Sequence, residues 1–203
     1  MLPALQIVYR NRRHFEMFVG IFHLFTKTCF HVSMALDVEI FLHELDWHFI
    51  SDVMSVSYGL MMLIHLASWP DENMNILLRY MAFALTLILK YRDGWDTAAW
   101  EVTLAVFAAF AVLARYNVPI QEHTLPRINK EFASLTGVAM AIGFTLFLMQ
   151  ETEILYSDDS WLSVVVGGVM NVIGGAGVYF GWQCVPVRKY KGDDFAPLPS
   201  SFT

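Results

Sequence analysis

His23, Lys27 and His31 recur every four residues within "FHLFTKTCFHVSM", so a helix carries all three along one stripe. Two imidazoles and an ammonium in an apolar segment admit three chemistries: a metal site built on neutral imidazole, the remnant of one, or ion pairs buried for structure. Other ionisable residues stand at intervals downstream. They are Asp46, His48 and Asp52 in "ELDWHFISD", Glu101 in "AAWEVTL", and Asp158 and Asp159 in "YSDDSW".

The elements that must hold these residues follow from composition. Of 203 residues 56% are hydrophobic and only 16% charged, and the mean hydropathy is +0.47. A soluble domain of this size carries more charge, so the chain reads as an all-α, polytopic membrane protein. The formal charge of -6 gives no basic footprint for nucleic acid; membrane lipids and other membrane proteins are the partners this composition suits. Cys29 and Cys184 lie far apart in apolar segments and imply no disulfide framework.

Apolar runs long enough to cross about 30 Å of hydrocarbon fall near Phe15–Leu36, Phe49–Ser68, Met74–Leu89, Thr97–Leu113, Phe132–Met149 and Leu162–Cys184. These are six full spans. The opening "MLPALQIVY" is too short to cross and lacks the basic start of a signal peptide, so it reads as the tail end of a preceding span. Residues 1–187 thus form one membrane helix bundle, and residues 188–203 a disordered tail. Arg10, Arg12 and Arg13, then Arg115, Arg127 and Lys130, then Arg188, Lys189 and Lys191 mark cytoplasmic segments. The acidic loops around Glu39 and Glu153 then lie outside, and the tail is cytoplasmic.

With that topology the unusual residues share one outer layer: Lys27, His31, Asp46, His48, Asp52, Glu101, Asp158 and Asp159. A charge facing the bilayer centre costs roughly 2.5–3.5 kcal/mol. Lys27 is therefore expected to face the bundle or to snorkel outward toward a carboxylate, with Asp52 or Glu101 as its partner if it is buried. His43 reads as solvated, and His65 and His123 as lacking clustered partners. Met61, Met62 and the "VVVGGVMNVIGGAGVYFG" run, with the small-x-x-x-small spacing inside "GGVMNVIGG", suggest close helix packing through small residues. Trp95, Trp100, Trp161 and Trp182 suggest interface belts, and Cys184, before the basic "VRKYK", is a candidate for lipidation.

Four stretches, "LPALQIVYRNRRHFEMFVGIFH", "ELDWHFISDVMSVSYGL", "KYRDGWDTAAW" and "ETEILYSDDSW", give the chain its family likeness. It resembles the membrane domain of the myomaker and transmembrane protein 8 group, within the CREST superfamily that also holds alkaline ceramidases and GPI-remodelling lipases. The resemblance implies seven spans with the amino terminus outside and the carboxyl terminus inside. It also implies a zinc ion held by three histidines, assisted by a serine and an aspartate. His31 matches the first histidine, and Asp46 or Asp52 the aspartate. The serine position is Lys27, and the other two histidine positions fall on Asp158 and Leu162. A catalytic zinc takes three protein ligands and an open water position, and this chain offers one imidazole, with Asp158 as the second candidate ligand. Two functions follow. One is a zinc-dependent lipid amidase or esterase with a rebuilt site; the other, favoured by the lost ligands, is a non-catalytic membrane protein acting on lipids or partners in remodelling, fusion or adhesion.

Overall fold

The computed structural model describes residues 2–67, 72–93, 106–110, 112–113, 130–151 and 161–185. Six named helices run in order: α1 (Leu2–Arg10), α2 (His14–Leu36), α3 (Glu44–Ala67), α4 (Glu72–Asp93), α5 (Lys130–Glu151) and α6 (Trp161–Cys184). No strand occurs among the described residues. Of these helices four are long and apolar enough to cross a membrane, over His14–Leu36, Glu44–Ala67, Asn73–Arg92 and Val165–Cys184, and α5 holds a shorter apolar stretch, Glu131–Leu146. The span expected over Thr97–Leu113 lies mostly outside the described residues.

Helix ends follow local chemistry. Glu44 and Asp46 stand in the first turn of α3, and Lys90 and Arg92 in the last turn of α4, each opposite in sign to the helix dipole end it faces. α2 stops at Asp37, which adopts the left-handed conformation (φ 52°) and returns its N–H to the Ser33 carbonyl. Within the helices, hydroxyls bond back to their own backbone: Thr28 to Leu24, Thr86 to Ala82 and Thr136 to Phe132, at 2.7–2.8 Å. Such donors are satisfied without water, as a hydrocarbon setting requires.

The packing is polar inside and apolar outside on α4. Its buried residues are Asn75, Arg79, Thr86 and Lys90, spaced to share one face, while Leu77, Tyr80, Leu85 and Ile88 are 43% to 60% exposed. In water that arrangement would expose apolar surface and bury charge; in lipid it satisfies both. α2 likewise turns Phe18, Ile21 and Phe25 outward.

α2 packs on α3, α3 on α4, α5 on α6, and α1 against both α2 and α6. The apolar core lies where α1, α2, α3 and α6 meet, with Val8, Val19, Tyr58, Met61, Met62 and Trp182 at its centre. Two glycines permit the close approach. A Cβ on Gly20 would meet Leu5 Cδ2 at 2.5 Å and Tyr58 Cε2 at 2.8 Å, and one on Gly181 would run into Met62. In the "GGVMNVIGG" stretch, by contrast, a Cβ on Gly167, Gly168 or Gly174 would meet nothing within 4 Å. Within the small-residue run, close packing therefore falls at its carboxyl end, at Gly177, where a Cβ would meet Met140 Sδ at 3.2 Å, and at Gly181. Trp182 is fully buried, 5.5 Å from the Tyr58 ring and 5.9 Å from the His65 ring between centroids, so it belongs to the core and not to an interface belt.

Candidate functional site

Polar side chains gather at the two ends of the bundle. At the α2–α3 loop end, α2 supplies Lys27, Phe30 and His31, α3 supplies His48 and Asp52, and α4 supplies Lys90. Lys90 Nζ lies 3.0 Å from Asp52 Oδ2, and His48 Nδ1 lies 3.3 Å from the same oxygen. Lys90 is buried, with its side chain 4% exposed. The Phe30 ring sits among three cationic or titratable neighbours: its centroid is 5.1 Å from the His31 ring, 4.8 Å from His48 and 5.4 Å from Lys27 Nζ. Lys27 thus meets an aromatic ring, and no carboxylate among the described residues forms an ion pair with it. Of the two expected partners of Lys27, Asp52 is paired with Lys90, and Glu101 lies outside the described residues.

His23 is buried and its Nδ1–H donates to the Ser51 carbonyl at 3.2 Å, which leaves Nε2 as the acceptor of a neutral ring. His31 is exposed, and Asp46 is exposed in the first turn of α3. Glu101, Asp158 and Asp159 lie outside the described residues. Among the described residues no three His, Cys, Asp or Glu side chains are grouped to hold a metal ion. The layer as described does not fit zinc: Asp52 is already held by an ammonium and an imidazole, and Lys27 brings a second ammonium beside His31.

Below this layer a cleft of about 310 Å³ opens between α3, α5 and α6, lined by His23, Ser55, Tyr58, Gly59, Met140, Asn171 and Gly174 among others. Its walls are mostly apolar with a few polar groups, and its volume lies at the small end of the range for ligand sites.

At the opposite end, Glu16 is fully buried and accepts from both His65 and Arg79: His65 Nε2 lies 2.7 Å from its Oε1, and Arg79 Nη1 contacts the same oxygen. His65 therefore has clustered partners, contrary to the sequence expectation. Asn11 Nδ2 donates to the Val185 carbonyl at 3.2 Å and joins α1 to the end of α6. Cys184 is a free thiol buried in this core, so the lipidation candidate presents no exposed sulfur.

Residues 1–172 match the family described as "Protein of unknown function (DUF3522)". The chain belongs to this family. No curated protein and no solved structure matches it. The DUF3522 match takes in both polar clusters: Glu16, His65 and Arg79 at one end, and Lys27, His48, Asp52 and Lys90 at the other.

Glu16, Arg79 and Lys90 are absent from the layer read out of the sequence. A signal for two of them was present. Asn75, Arg79, Thr86 and Lys90 repeat at helical spacing inside an apolar span, and a polar stripe in a membrane helix faces the protein.

Proposed function

We propose that this DUF3522 chain is a multi-pass membrane protein of the myomaker and transmembrane protein 8 type that acts without catalysis, through its helix bundle, on membrane lipids or membrane-protein partners. Its fold is then the seven-span layout, with the acidic loops outside, the tail in the cytoplasm, and the plasma membrane or secretory pathway as its place. The observation that carries the reading is the engagement of Asp52. An acid free to assist a metal-bound water would not sit 3.0 Å from a buried ammonium, and Lys27 brings a second cation to the layer at the position where the resemblance calls for a serine. Coulomb repulsion between those ammonium groups and a dication opposes metal binding there. The mostly apolar cleft beside His23 suits an acyl chain and supports a lipid-facing role.

Zinc content and hydrolysis together test the proposal. Purified full-length protein is expected to carry well under one zinc per chain and to leave ceramides and phospholipids intact. The variant Lys27→Ser/Asp158→His/Leu162→His, which restores the resembled ligand pattern, is expected to gain zinc. Stoichiometric zinc in the unmodified protein, lost on His31→Ala, would make the chain a metal-dependent lipid hydrolase instead.

A further inference from the structure

The cleft between α3, α5 and α6 repeats one pattern on two of its walls. On α3 the lining runs Ser55, Gly59, Leu63, and on α6 it runs Asn171, Gly174, Val178. Steps of three and four keep each trio on one helix face, and α3 and α6 end side by side, His65 against Trp182. Polar, bare and apolar positions therefore follow one another on both walls, away from the α2–α3 loop end, over about 12 Å. His23 closes the polar end. It is 8% exposed, and with its Nδ1–H given to the Ser51 carbonyl, Nε2 remains as an acceptor on the cleft that the residue lines. Ser55 and Asn171 make no side-chain hydrogen bond among the described residues. Hydrogen-bonding groups left unmet in a hydrocarbon layer are costly. The glycines are a second cost. Glycine inside a helix is destabilising relative to alanine, and a Cβ on Gly59 or Gly174 would meet nothing within 4 Å, so no described neighbour requires either.

We infer that this cleft binds a sterol, with the sterol hydroxyl among His23, Ser55 and Asn171 and the ring system between Gly59 and Gly174. The inference rests on the lipid-directed reading of the bundle and names the lipid. A hydroxyl both donates and accepts, so it serves His23 Nε2 as donor and the Asn171 amide or the Ser55 hydroxyl as acceptor. Depth limits the head to something this small. His23, Ser55 and Asn171 stand roughly 15–20 Å along their helices from the loop end, about the middle of a hydrocarbon layer ~30 Å thick, where a charged headgroup is strongly disfavoured. A sterol carries one hydroxyl and no charge. A plain acyl chain suits the apolar half of the cleft but leaves the three polar groups unmet. The facing glycines widen both walls at one level, which a flat ring system fills and a single chain does not. At about 310 Å³ the cleft encloses part of such a molecule, and the exposed positions of Ser55 and Asn171 leave the rest in contact with lipid.

The test uses full-length protein in detergent with a photoreactive cholesterol analogue as the probe. Labelling is expected to be competed by cholesterol, and not by cholesterol methyl ether, which cannot donate, or by a diacylglycerol. Competition is read on the unmodified protein, so it stands even where a variant misfolds. Gly59→Leu and Gly174→Leu put a side chain into the open cleft, and each is expected to lower labelling about tenfold by occupying the sterol's space, with a melting temperature at or above the parent's. Gly168→Leu, at a glycine with equally open surroundings outside the cleft, is expected to leave labelling unchanged. Asn171→Leu is expected to weaken labelling about fivefold, within the range of one neutral hydrogen bond. Equal competition by the methyl ether or the diacylglycerol, or full labelling of both cleft-filling variants, would overturn the inference. Zinc content and ceramide hydrolysis, which decide the non-catalytic reading, are measured on the same protein without sterol, so the two can fail separately.

Discussion

His65 Nε2 stands 2.7 Å from Glu16 Oε1 across a separation of 49 residues, and both side chains are 1% exposed. With Arg79 on the same oxygen, the three residues tie α2, α3 and α4 together at one end of the bundle. Their value is conditional on completeness, because a buried charge without its partner costs far more than the pair contributes.

Glu16→Gln is therefore expected to destabilise the protein by about 3–5 kcal/mol, since His65 and Arg79 keep their burial and lose the carboxylate charge they share. Thermal melting in detergent reads the loss. Glu16→Gln/Arg79→Gln is expected to melt above Glu16→Gln alone, and a double variant no better than the single would mean the two residues are not coupled.

Lys90 and Lys27 are expected to differ sharply although both lie in apolar spans. Lys90→Met leaves Asp52 the His48 imidazole but removes its ammonium partner, and is expected to cost about 3 kcal/mol. Among the described residues Lys27→Met forfeits a ring contact, about 0.5–1 kcal/mol. Equal melting temperatures for the two variants would contradict the assignment of Lys90 as the partner of Asp52.

Alanine substitutions separate the glycines that pack from those that do not. Gly20→Ala and Gly181→Ala force a methyl into Leu5 and Tyr58 or into Met62, and each is expected to cost about 1–3 kcal/mol by overpacking. Gly168→Ala meets open space and is expected to be neutral, or stabilising by up to about 1 kcal/mol through lower backbone entropy. The check is the melting order of the three variants, and a Gly168→Ala protein that melts lowest would reverse the packing described for α6.

Asp37→Gly is expected to raise the melting temperature. Asp37 holds a φ of 52° at the carboxyl end of α2, a conformation that costs an L side chain about 1–2 kcal/mol, and its negative charge opposes the helix dipole there. Glycine relieves both. A lower melting temperature would show that the carboxylate has a role the backbone does not reveal.

The helices themselves were legible in the sequence because length and hydropathy are local properties: Phe15–Leu36 and Leu162–Cys184 lie within a residue of α2 and α6. The stripe of His23, Lys27 and His31 was legible only in part. Each step of four residues overshoots a full helical turn by about 40°, so the three side chains wind from the buried position of His23, through the half-buried one of Lys27, to the exposed one of His31. Which charge meets which was not legible at all. Glu16 finds His65 and Arg79, and Asp52 finds Lys90, through helix rotations that no spacing within a single span encodes.

Asn11 donates to the Val185 carbonyl across 174 residues, and α1 packs on α6. During synthesis, the α6-facing side of α1 must wait until α6 has left the ribosome. Until then, among the described helices, Asn11 and the small apolar residues Ala4 and Val8 have α2 alone to lean on, and the α1–α6 contact forms late in assembly. A premature stop between α1 and Val185 would accordingly leave α1 without its seat on α6, and membrane quality control would meet the defect far in sequence from the lesion.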